Sequence, residues 1–253
     1  MAGPDWVVSN TERLPTCGNA DVTTPLHDLA DWNLTLVDST LSIPSTYAPD
    51  DLVSTVSAGL SNYFLVRQVA LYDLTAMAAA ASAAGAALGI ASSYRDYTTQ
   101  HWTFWYWVGL LGYDRALLSS ARAGHSEHQL GVAIDFSSHG GPDPWTYHDF
   151  ATETRAGEWL FANAWKYGFI MSYPKGKTAK TCYAYEPWHY RYVGVLEAAA
   201  VHASGLTLRE WLWQHQPNPE PLSPMPTPKP TPIAPAPTQT PPASPSPSSR
   251  RSP

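Results

Sequence analysis

Cysteine is nearly absent: Cys17 and Cys182 are the two in 253 residues, and no Cys-x-x-Cys pair exists. That excludes a cysteine-built metal centre or dithiol redox site. The two could close one disulfide, which would suit an oxidising compartment, or stand as two thiols. Basic charge is also short. Fifteen Lys and Arg against 21 Asp and Glu leave a net charge of -6, with no basic patch, so a nucleic-acid partner is not expected. Long apolar runs are missing as well. The stretch from Ala76 to Ile90 is rich in Ala and Gly, interrupted by Ser82, and too short for a membrane span. The N-terminus, Met-Ala-Gly-Pro-Asp-Trp, lacks the basic and apolar regions of an export signal.

What is abundant is unevenly spread. Proline recurs every two or three residues from Gln216 to the end, among Ser, Thr, Ala and Gln. Such a segment has almost nothing to bury and reads as a solvated spacer. The expected organisation is an N-terminal arm over 1–30, a folded domain over 31–215 and a proline-rich tail over 216–253. About 215 residues suffice for one good-sized core. Eleven tryptophans fit such a core and would also suit a carbohydrate or peptide groove.

Within the domain, residues up to about 60 should be extended, with a short strand near Leu34–Val37. Apolar spacing predicts helices over 63–84, 98–111 and 153–167, with Gly85 and Gly168 as stops and Asp96 or Thr98 as an N-cap. Strands are expected over 88–94, 131–136, 169–173 and 183–193, and helical turns from Leu196 and over 208–214. Helices first and strands interleaved later suggest an α+β fold, with a small antiparallel sheet carrying the site and helices flanking it.

Two segments carry chemistry. In Ser126-Glu-His128-Gln-Leu-Gly131-Val-Ala-Ile-Asp135, His128 and Asp135 are seven apart, so a continuous strand would send them to opposite faces. They can share a centre if the chain turns at Gly131. Asp135 then sits in an apolar strand, where a lone carboxylate needs a cation or an arginine. Some fifty residues later, Glu186-Pro-Trp-His189-Tyr-Arg191 sets a carboxylate and an imidazole three apart around a proline. Two imidazoles and one carboxylate with a fourth position open form a catalytic zinc arrangement, and a second carboxylate could serve as its base.

The first of these segments resembles the Ser-x-His-x-x-Gly-x-Ala-x-Asp motif of the D-alanyl-D-alanine carboxypeptidase (VanY-type) family of zinc peptidases. The second, through Gly194, is similar to that family's other motif, and Ser92-Ser-Tyr-Arg95-Asp-Tyr-Thr-Thr-Gln100 resembles its substrate-binding segment. The likeness runs from about residue 30 to 215. It implies a hedgehog-like fold, Zn2+ held by His128, Asp135 and His189, and Glu186 as catalytic base for a zinc-bound water. It also implies that Arg95 stabilises the scissile carbonyl oxygen or grips the terminal carboxylate, and that Gln100 and Ser126 hydrogen-bond the peptide's end. Trp188 is expected to wall the substrate pocket. Asp96 stands where the family more often has Ser.

The resemblance thus predicts a monomeric enzyme that removes the C-terminal D-alanine from peptidoglycan stem peptides outside the cytoplasm, after loss of an export signal. An L,D-carboxypeptidase, an endopeptidase of the same fold and a non-catalytic wall-binding module remain as other readings.

Overall fold

The protein was analysed as a computed structural model, which describes residues 13–60 and 63–217. The proline-rich stretch from residue 218 and the first twelve residues of the arm lie outside the described residues.

Residues 13–60 hold three short strands. β1 (Val22–Thr23) pairs in parallel with β2 (Leu41–Ser42). β3 (Leu52–Ser54) pairs antiparallel with β4 (Leu65–Arg67). The strand expected at Leu34–Val37 does not form; Leu36 and Val37 are buried in irregular backbone that leads into β2. The helix expected from residue 63 begins instead at Gln68, giving α1 (Gln68–Ala83). Val66 and Arg67 are taken by the ladder to β3, and cross-strand pairing there outweighs helical spacing. Gly85 sits just past the helix at φ +72°, the left-handed turn a glycine makes without penalty.

β5 (Leu88–Ser92) leads to α2 (Tyr97–Leu111), whose first turn is capped by Asp96: its carboxylate accepts from the Thr99 N–H at 2.6 Å. The position where the family more often has serine thus holds another N-cap residue. α3 (Tyr113–Ser119) follows directly. After β6 (Ala133–Ser138), the helix expected over 153–167 is confined to 155–163 and a closing turn, with a separate short helix ahead of it. α4 (Phe150–Glu153) stops at Thr154, whose extended backbone (φ -130°) lets its hydroxyl cap α5 (Arg155–Asn163), and residues 164–167 tighten into a 3-10 turn. β7 (Phe169–Met171), α6 (Thr178–Thr181), β8 (His189–Tyr192), α7 (Val195–Ser204) and α8 (Leu208–Gln214) complete the described chain. The strand expected over 183–193 is confined to its last third. Pro187 removes a ladder donor, and the preceding residues turn outward to line a cleft.

The central sheet has four antiparallel strands in the order β5-β6-β8-β7, so the fold is α+β with small antiparallel sheets between helices. Alternation decides what each face does. Ile134, Phe136, Phe169, Tyr190 and Tyr192 point to one side and join Leu74, Met77 and Leu160 of α1 and α5 in the main core. Asp135, His189 and Arg191 point to the other. Cys17 and Cys182 form a disulfide, fastening the segment before β1 to the loop that precedes Glu186.

Candidate metal centre and substrate cleft

The register of β6 and β8 brings the two motifs together: Asp135 stands directly opposite His189, and Ser92 of β5 opposite Asp135. His128 arrives from outside the sheet. Residues 127–130 form a 3-10 turn capped by the Ser126 hydroxyl, which accepts the His128 N–H at 3.3 Å, and Gly131 ends the turn at φ +75°. A side chain at Gly131 would be strained and would press on Arg67 and Leu52. The turn expected at Gly131 is therefore what swings His128 and Asp135 onto one centre.

Ligand atoms of His128, Asp135 and His189 all lie within 4.8 Å of one another, and all three residues are buried. His128 Nε2 is 3.3 Å from Asp135 Oδ2, and His189 Nδ1 is 3.0 Å from Asp135 Oδ1. The outer nitrogens are tied back. His128 Nδ1 donates to the Ser93 carbonyl at 2.6 Å, and His189 Nε2 donates to Glu127 Oε2 at 2.9 Å. Each bond fixes a tautomer and leaves the inward nitrogen's lone pair for a cation. Glu186 Oε2 is 3.9 Å from His189 Nδ1.

The electrostatics suit a cation. Burial pushes Glu186 up to about 8; His189 and Arg95 oppose this, and the nearby Asp135 and Glu127 reinforce it. Burial, followed by the Arg95 charge, pulls His128 down to about 4 and keeps it neutral, as a ligand must be. Burial opposes charge on His189, yet hydrogen bonds to Asp135 and Glu127 raise it to about 10. Burial would also raise Asp135, but the two histidines hold it well below the usual carboxylate range. A divalent ion would take the proton's place between His189 and Asp135 and favour the ionised form of Glu186. Neutral imidazoles and one carboxylate are zinc's donors, so these residues fit that ion.

Around the centre lies a cleft of about 550 Å³, lined by His128, Asp135, Glu186 and His189 at its floor. Its walls are largely aromatic and include Tyr106, Trp107 and Tyr185. Trp188, half-buried, meets Trp145 edge to face at 6.3 Å on the same wall. Arg95 lines the cleft with NH1 3.6 Å from Asp135 Oδ2 and bonded to Ser92. Burial lowers its pKa, with Asp135 and Glu186 opposing. Gln100, expected against the peptide's end, is 0 % exposed with both polar atoms engaged. Its Oε1 accepts from Arg95 Nε at 2.8 Å and its Nε2 donates to the Ala121 carbonyl at 2.6 Å, so it anchors the guanidinium. Ser126 reaches the cleft wall.

Three residues at the centre were not singled out from sequence. Glu127 accepts from His189, from Ser172 Oγ at 2.6 Å and from Arg191 NH1 at 3.1 Å. Burial would raise it, but His189, Arg191 and Ser172 hold it down at about 2. Tyr173 stacks on the His189 ring at 4.8 Å. The signal for Glu127 was its place between two motif residues; Ser172 and Tyr173 carried none. Arg191, readable either as a partner of Glu186 or another carboxylate or as a surface residue, is fully buried against Glu127 and the carbonyls of Trp32 and Thr35.

The profile of the VanY family, D-alanyl-D-alanine carboxypeptidase, matches residues 64–195, just over half of the chain. The chain is 38% identical over 182 residues to the putative carboxypeptidase YodJ of Bacillus subtilis (strain 168), a match that covers 70% of this chain and 66% of that protein, just under two thirds of it. Among solved structures, the LdcB LD-carboxypeptidase aligns with a TM-score of 0.62 at 37% identity, covering 71% of this chain and 85% of that one. A mutant of the vancomycin-resistance D,D-pentapeptidase VanY in complex with Zn(II) aligns with a TM-score of 0.61 at 31% identity, covering 72% and 99%. Profile, identity and fold agree with the two motifs that meet at the cleft floor: the chain belongs to the VanY family of D-alanyl-D-alanine carboxypeptidases.

Proposed function

We propose that the chain is a zinc-dependent carboxypeptidase that removes the terminal D-alanine from peptidoglycan stem peptides. The observation that carries this reading is the convergence of His128, Asp135 and His189 at the floor of a cleft, with Glu186 beside them. Zinc bound by these three would polarise the scissile carbonyl and lower the pKa of a water to around 7.

The chain's own residues supply the rest. Glu186 takes the proton of the attacking water and returns it to the amine as the C–N bond breaks, which releases one free amino acid. Its raised proton affinity in a buried setting suits a group that must both accept and give a proton near neutrality. Arg95 stabilises negative charge on the carbonyl oxygen or pairs with the substrate's terminal carboxylate, and Gln100 fixes its plane. A second reading, cleavage after an L-configured residue, is favoured by the likeness to an LD-carboxypeptidase. Action outside the cytoplasm is supported by the Cys17–Cys182 disulfide. No helix among the described residues is long and apolar enough to cross a membrane.

The test is incubation of the purified protein with tri-, tetra- and pentapeptide stems, with and without a chelator. Chelator-sensitive release of D-alanine from the pentapeptide is expected, and release from the tetrapeptide alone would transfer the reading to L,D-cleavage. No release from any stem would overturn it.

A further inference from the structure

α2 separates two concavities. Thr103, Tyr106 and Trp107 face the metal cleft, whereas Tyr97, His101, Phe104 and Trp105 face a second groove of about 410 Å³. That groove is completed by Tyr113 of α3 and by Asp21, Arg122 and His125. Its aromatic wall is built, since Trp105, Phe104 and Tyr113 meet one another at 5.8 to 6.4 Å, with Phe104 buried beneath. Yet Trp105 and Tyr113 each remain 48% exposed. The polar side is built too. Arg122 NH1 lies 2.6 Å from Asp21 Oδ1, and the buried His125 reaches the same oxygen at 2.9 Å. Leaving large aromatic faces in water beside a fixed polar network marks a surface made for a ligand.

We infer that the groove behind α2 binds the glycan strand that carries the stem peptides, a chain of β-1,4-linked N-acetylated hexosamines. This rests on the proposed function, because the strand is the covalent neighbour of the peptide that enters the cleft on the helix's other side. Sugar rings present C–H faces that stack on exposed aromatic rings, while their hydroxyl and acetamido groups need planar hydrogen-bonding partners such as Arg122 and Asp21. A lipid surface fits less well. Helices that lie on membranes bring lysines and arginines on their polar face, and α2 has no charged residue over Tyr97–Leu111.

The test uses the full chain and N-acetylglucosamine oligomers of four to six units as probe. Saturable binding is expected by calorimetry. It should weaken about tenfold in Trp105→Ala and again in Tyr113→Ala. Both side chains lie outside the cleft lining, so release of the terminal residue from a short, glycan-free stem should be unchanged, while release from glycan-linked stems should fall. Trp102→Ala, 67% exposed on α2 and outside the groove lining, controls for general loss of aromatic surface and should bind normally. No binding by the wild-type protein, or binding indifferent to Trp105 and Tyr113, would overturn the inference. So would concentration-dependent self-association, or vesicle binding, that Trp105→Ala abolishes. Failure of the carboxypeptidase reading would show separately, as no release from the glycan-free stem.

Discussion

Glu127 Oε2 lies 2.9 Å from His189 Nε2, and this contact turns the other ring nitrogen, Nδ1, toward Asp135. The carboxylate that decides this orientation is itself held by Arg191 and Ser172, so the setting of the His189 ring depends on groups behind it.

Glu127→Gln should therefore keep the fold and loosen the metal site. A tenfold to hundredfold loss of zinc affinity is expected, roughly the cost of losing such an outer partner. Equilibrium dialysis against a competing chelator measures it. Glu127→Ala should do more, since it leaves the buried Arg191 unpaired, with a destabilisation of about 3 to 5 kcal/mol in denaturant melts.

Zinc should stabilise the folded chain by mass action, by about 2.7 kcal/mol at a hundredfold excess over its dissociation constant. The resulting rise in melting temperature should vanish in His128→Ala and in His189→Ala. A wild-type protein whose melting ignores zinc would count against the assigned ligands.

The metal-free protein should lose stability as pH rises from about 6.5 to 8: there the raised His189 adds to the loss, whereas below 6.5 the lowered His128 offsets the contribution of Glu186. The folded pKa of Glu186, about 8, exceeds the ordinary 4.5, so between those values the folded state holds a proton that the unfolded state has released. This contribution is fully present below about 4.5 and gone above about 8. Glu186→Gln should make the fall between 6.5 and 8 less steep. In the zinc-loaded enzyme the same substitution should leave metal content intact and lower kcat roughly a hundredfold to ten-thousandfold.

Gln100→Ala should act through Arg95. With its Nε no longer anchored, the guanidinium loses its fixed plane, and kcat/KM should drop by up to about a hundredfold without loss of zinc. Arg95→Ala should cost as much or more. Equal kinetics for Gln100→Ala and the wild type would refute the anchoring.

Reduction, or Cys17→Ser with Cys182→Ser, should destabilise the protein by about 2 to 5 kcal/mol, because the bridge closes a loop of 165 residues in the unfolded chain. Melts in the presence and absence of reductant check this.

The sequence by itself determined the local rules. The spacing of Ala70, Leu74 and Met77 required a helix, and the alternation around Ile134, Asp135 and Phe136 required a strand with one polar exit. Gly131 could be read as the turn between His128 and Asp135 because a residue without a side chain relieves a local steric limit. The two motifs were likewise legible as candidate ligand sets, since ligand chemistry depends on residue type.

Only the tertiary structure decided who meets whom. The pairing of Asp135 with His189 is a strand register 54 residues apart, and nothing in either segment specifies it alone. Arg191 could be read as a carboxylate's partner or as a surface residue until the register set it two places from His189 on the same face, over Glu127. Ladder pairing overrode helical spacing at Val66, and the Thr154 hydroxyl cap set the start of one expected helix two residues late. Short-range sterics and periodicity act within a few residues and are written in the chain. Burial, tautomer choice and shifted proton affinity depend on distant groups, and they exist only once the chain has closed around them.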